Sequence, residues 1–253
     1  MKKKKLFISR VLIIVSMFSS VSISADSSCT KDEKSLDVLR SSWVDEDLAF
    51  LDGRKKIGYV FEQTVRNYRI YQEGAFLAVV RSDPFYPEEI DKANELVSRV
   101  NTYIDLKLNE VSSRREADIV IIGVCEDGDT TGMVADNEFG DQAYLLLNGC
   151  NGVLELEGQP VLLFLHELGH ALGLEHPFDD SDGDCLYSNE PWGSKSADDS
   201  VTVMAYKSSD RPAGFFTDLD LATLQSIHGV AEDAPRDFLV NEPGLDRKIH
   251  KQF

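Results

Sequence analysis

Residues 166 to 176 read His-Glu-Leu-Gly-His-Ala-Leu-Gly-Leu-Glu-His. His166 and His170 stand four apart, so on a helix they share one face, one turn apart. Glu167 follows His166 directly, within reach of a water held by whatever the two imidazoles bind. Gly173 interrupts the helical pattern. A glycine takes a left-handed conformation without steric cost, so the chain can turn there and bring His176 back towards the other two histidines. Three neutral imidazoles with one open position are the donor set of a catalytic zinc ion. Such an ion lowers the pKa of a bound water and polarises a carbonyl. Glu167 is then the candidate base, taking a proton from that water and passing it to a leaving amine. An amphipathic helix with incidental histidines is the plain alternative. The extended spacing disfavours it, because three of the chain's five histidines fall in this one stretch.

Downstream, residues 200 to 206 read Ser-Val-Thr-Val-Met-Ala-Tyr. The HExxHxxGxxH spacing followed by this methionine resembles the metzincin zinc metalloproteases, closest to their serralysin and matrixin types. The resemblance covers about residues 75 to 230. It implies an α/β zincin fold: a twisted mixed sheet of about five strands, three main helices and a zinc cleft between two lobes. It implies His166, His170 and His176 as zinc ligands, Glu167 as general base, and Met204 in a turn packed beneath the imidazoles, where a thioether suits packing rather than ligation. It implies that Tyr206 binds the zinc or hydrogen-bonds the oxyanion. Gly132, Met133, Val134 and Ala135 fall where the family has an edge strand that takes substrate by strand addition. The same layout sets the strands ending near Cys125 and Cys150 side by side, which implies a Cys125–Cys150 disulfide and leaves Cys29 to Cys185. Two departures stand out. Serralysins usually lack an N-terminal signal and carry C-terminal glycine–aspartate repeats, whereas matrixins usually carry a cysteine switch. This chain has a signal-like start, and neither repeats nor a switch segment is found in it.

The chain of 253 residues suits one domain with an N-terminal extension. Residues 1 to 25 read as a secretory signal, with Lys2 to Lys5 before an apolar stretch from Phe7 to Phe18 and small Ala25 at the end. That stretch is short for a membrane span, so no membrane anchor is expected after cleavage and the product is secreted or periplasmic. Removing it takes five basic residues and no acidic ones, moving the net charge from -18 to -23. Such a chain repels nucleic acid and anionic surfaces. Four cysteines remain, and an even count in an exported chain suggests disulfides; four allow three pairings, and the residues alone do not choose.

Residues 26 to 70 are charged, with apolar patches at Trp43 to Leu51 and Ile57 to Phe61, and read as an extension, either a propeptide or structure packed on the 71 to 230 catalytic domain. Residues 231 to 253 read as a polar tail. Within the domain, Phe76 to Val80 reads as a strand, Pro87 to about Asp105 as a helix opened by proline and two glutamates, and Leu106 to Val111 as a half-exposed strand. Ala117 to Val124 reads as a central strand buried on both faces, and Gly132 to Ala135 and Gln142 to Asn148 as two more strands. A helix starting near Gly158 or Gln159 carries the histidines. Another, capped by Thr217 and stopped by Gly229, closes the domain; His228 in it reads as structural. The loop with Asp179, Asp180, Asp182 and Asp184 is either a solvated acidic loop or a calcium site, since carboxylate oxygens suit that ion. Together these readings predict a secreted zinc endopeptidase acting on peptide or protein substrates. The alternatives are a non-catalytic zinc-binding or adhesion protein, and an amidase acting on small molecules.

Overall fold

The computed structural model describes residues 29–33, 35–41, 54–125, 132–149, 159–210 and 213–235. The expected signal, the patch at Trp43 to Leu51, Cys150 and residues 236–253 of the expected tail lie outside them. Among the described residues the fold is mixed α/β, with seven strands: β1 (Lys56–Phe61), β2 (Asn67–Gln72), β3 (Ala75–Asp83), β4 (Lys107–Glu110), β5 (Ile119–Val124), β6 (Gly132–Asp136) and β7 (Ala143–Asn148). Three α-helices join them: α1 (Pro87–Val100), α2 (Gln159–Ala171) and α3 (Asp218–His228). The strands run in the order β3-β2-β6-β7-β5-β1-β4, and β3 also pairs with β5, which closes five of them into a ring. Seven strands rather than five follow from β1, which lies in the stretch read as an extension, and β2, which begins there. β1 lies parallel between β4 and β5, and β2 forms a hairpin with β3.

β5 is buried at every position, and the two-residue period of a strand explains why it must be apolar throughout. Ile119 and Ile121 face the helix-side core with Leu145 and Leu147 of β7 and Phe164, Leu165 and Leu168 of α2. Val120, Ile122 and Val124 face a second core with Tyr68, Ile70, Val80, Tyr144 and Leu146. α1 opens as its sequence predicts, with a Glu89 carboxylate oxygen accepting the Tyr86 backbone N–H at 2.7 Å. It stops at Val100 rather than near Asp105. Asn101 ends it by bonding both backbone groups of Leu108 at 2.8 Å, which ties the helix end to β4.

Candidate metal centre

α2 is apolar on nearly every side because it lies against β6 and β7 of the sheet and shares one core with Val203, Met204, Phe215 and Phe216, with Phe164 and Leu165 at 0% exposure. It ends at Ala171, and Gly173, two residues on, has a left-handed φ of 99°; the turn expected there forms, with the Leu174 N–H donating to Gly169 O at 2.9 Å. The reversal brings three ring nitrogens together. His176 Nε2 lies 3.3 Å from His166 Nε2 and 3.1 Å from His170 Nε2. Each ring of the helical pair is held from behind: His166 Nδ1 is 2.8 Å from Val203 O, and His170 Nδ1 is 2.8 Å from Leu174 O. Those carbonyls accept the Nδ1 protons, which leaves the Nε2 lone pairs pointing inward. Burial pushes all three imidazoles below their ordinary pKa, His170 well below it and His176 to about 3. Neutral rings with convergent lone pairs could hold a metal ion.

Glu167 is 4% exposed, and burial pushes its carboxyl up to about 8. It packs on β6 so closely that a Cβ on Gly132 would lie 2.3 Å from its Oε1. Met204 is fully buried, against the other side of α2, where a Cβ on Gly169 would lie 2.6 Å from its sulfur. Tyr206 is 40% exposed, its ring centre 4.7 Å from that of His176 and 5.7 Å from that of His166. Burial and the Glu167 carboxylate both raise the Tyr206 phenol pKa. Phe178 stacks on His176 at 4.8 Å, and Trp192 lies on Tyr206 at 5.5 Å.

Met133, Val134 and Ala135 run antiparallel to β7. β6 is not the outermost strand of the sheet: β2 follows it, but touches it in register only at Tyr71↔Asp136. Among the described residues, no strand pairs with Gly132–Ala135 on the side away from β7.

Two features escaped the sequence reading. Asp220, wholly buried in α3, accepts from Thr202 Oγ1 at 2.5 Å, Val203 N–H at 3.1 Å and Thr217 N–H at 2.8 Å. It thereby fixes the turn whose Val203 carbonyl orients His166. The Thr217–Asp220 capping pattern is visible in sequence; its reach to residue 202 is not. Second, the acidic loop gathers differently from expectation. Carboxylate oxygens of Asp182 and Asp184 come within 4.8 Å of each other and of Glu175, and Asp179 and Asp180 stand outside that group. Cys29 bonds to Cys185, the pairing the resemblance left for them, and Cys125 is in a disulfide too. Cys29 is therefore no candidate thiolate for the metal.

No protein-family model matches the chain, and no curated protein matches it. Among solved structures it is similar to one described as the structure of myroilysin, with a TM-score of 0.40, 11% identity, and 68% of this chain and 92% of that one covered. It is also similar to a GM1-bound form of the ECX AB5 holotoxin, with a TM-score of 0.39, 11% identity, and 68% and 80% covered. Likenesses this weak say nothing of activity.

Proposed function

We propose that this chain is an exported zinc endopeptidase of the metzincin type, with His166, His170 and His176 as ligands, Glu167 as general base and acid, and Tyr206 as oxyanion donor. The observation that carries this reading is the convergence of three Nε2 atoms beside a buried carboxylate. Nitrogens on a tetrahedral zinc, bonded at about 2.0–2.1 Å, stand roughly 3.3–3.4 Å apart, close to the 3.1 and 3.3 Å found here. When bound, zinc supplies a Lewis acid that acidifies a water and polarises the scissile carbonyl. The side chains do the rest. Burial holds the Glu167 carboxyl near neutrality, and a cation nearby pulls it back down, so it takes a proton readily and releases it to the leaving amine. Tyr206 keeps its phenol proton, since its pKa is raised, and donates to the developing oxyanion. The outer edge of Gly132–Ala135 offers backbone groups to an extended peptide, which favours peptides over small amides. Export fits a chain that carries the Cys29–Cys185 disulfide and has, among the described residues, no helix long and apolar enough to cross a membrane.

The test is zinc content together with cleavage of an unfolded protein, with and without a chelator. One zinc per chain and chelator-sensitive cleavage are expected. A folded, undegraded sample that takes up no zinc overturns the reading. Bound zinc without cleavage of any unfolded protein favours the non-catalytic alternative.

A further inference from the structure

His166 is oriented from the Val203 turn, but the other two ligands depend on a different piece of chain. The Leu174 carbonyl orients His170, and His176 follows two residues later. Both therefore rely on where residues 173 to 177 lie. That segment is held by the N-terminal stretch. Arg40 forms an antiparallel bridge with Leu174. The Ser41 N–H donates to Gly173 O at 3.1 Å, and the Glu175 N–H donates to Leu39 O at 3.0 Å. Beyond His176, the Leu186 N–H donates to Pro177 O at 2.6 Å. Leu186 in turn bridges Thr30 in parallel, through Thr30 N–H to Cys185 O at 2.9 Å and Tyr187 N–H to Thr30 O at 2.8 Å. The N-terminal stretch thus grips the chain on both sides of His176. Val38, Leu39 and Leu186 anchor the grip at 0% exposure, and the Cys29–Cys185 bond closes it.

We propose that residues 29–33 and 35–41, closed by Cys29–Cys185, are a clamp that positions His170 and His176, so that forming this disulfide strengthens metal binding. The inference rests on the triad being a metal site. A ligand on a loose loop must be ordered when the ion binds, whereas a clamped one is ordered in advance. Disulfides form and persist outside reducing compartments, so the clamp closes only there and the chain binds metal weakly before then. By linkage, metal also strengthens the disulfide by the same factor.

The test is titration with Co2+, followed by its visible absorption against a competing chelator, on the oxidised chain, on Cys29→Ser/Cys185→Ser, and on Ser41→Pro. The last keeps the disulfide and removes the N–H bonded to Gly173. Both variants, checked for a cooperative melt, are expected to bind about tenfold or more weakly than the parent, as when ligand-orienting contacts are lost. A parent that takes no Co2+ sinks the metal reading itself. A parent that binds, alongside folded variants that bind equally well, overturns the clamp alone. If neither variant folds, the parent decides: metal should slow reduction of Cys29–Cys185 by a glutathione buffer and shift its equilibrium by a matching factor. An unchanged equilibrium would falsify the clamp.

Discussion

Glu167 and Gly132 form a single feature, because the carboxylate occupies the space a side chain would need at position 132. The place of Glu167 at the triad was legible in sequence, from its position between two histidines. The need for a glycine opposite it was not, because the contact joins α2 to a strand 35 positions away. Two outcomes follow. Glu167→Ala should keep the metal and lower turnover by about 10²-fold or more, the usual size of a general-base contribution; undiminished proteolysis by a pure sample would refute its role. In Gly132→Ala the new methyl would displace the carboxylate by an ångström or so, and misplacement on that scale costs about 10²-fold. The loss should fall on kcat, with KM and zinc content near the parent values, because the open edge of β6 is kept. A variant with normal kcat and raised KM would mean that position 132 serves peptide binding instead.

Elements were legible where one period ruled. The apolar run at 117–124 holds β5 from Ile119 on, the apolar stretch from residue 159 is α2, and Thr217 and Gly229 bound α3 as their capping chemistry requires. The end of α1 was not legible, because Asn101 pairs with a backbone eight positions beyond the helix end. The joint between α3 and the Met204 turn is also three-dimensional. Asp220→Ala would leave the Val203 N–H and the Thr202 hydroxyl buried, and the half-buried Thr217 N–H, without their acceptor, at a cost of about 3 kcal/mol if only one or two go unsatisfied. Denaturant unfolding should show that loss, and zinc affinity should fall with it, since the Val203 carbonyl orients His166; lost stability with unchanged affinity would confine Asp220 to the fold. In the loop after His176, burial first and then Asp182, Asp37 and Asp179 push the Asp184 carboxyl above its ordinary value. The folded state then binds more protons than the unfolded one in the window just above that value, so stability is lost as pH rises through it and stays lost above it. Asp184→Asn should therefore melt like the parent at acid pH and higher than the parent at neutral pH. Calcium held by these oxygens would reverse the sign, so the melts are compared with and without it.

At the scale of the molecule, the sheet decides what can be removed. Ile57 to Phe61 was visible as an apolar patch, but β1 finds its partners about 50 to 60 residues away in β4 and β5, and parallel pairing at that distance leaves no local signature. Its side chains are core: Ile57, Tyr59 and Phe61 are each 5% exposed or less. The neighbouring register is pinned by the Arg54–Asp118 ion pair and by the Gly58 N–H donating to the Asp118 carboxylate at 2.7 Å. Cutting the chain after residue 70 would also divide β2, open the five-strand ring and expose the facing edge of β5 to water, leaving buried backbone groups without partners. A propeptide whose removal leaves an intact enzyme cannot include such strands. A chain beginning at residue 71 should accordingly show no cooperative melt and no zinc uptake, whereas cleavage anywhere before Cys29 should leave both unchanged. A stable, zinc-binding fragment starting near residue 71 would mean that β1 and β2 are appended to the sheet rather than part of what folds it.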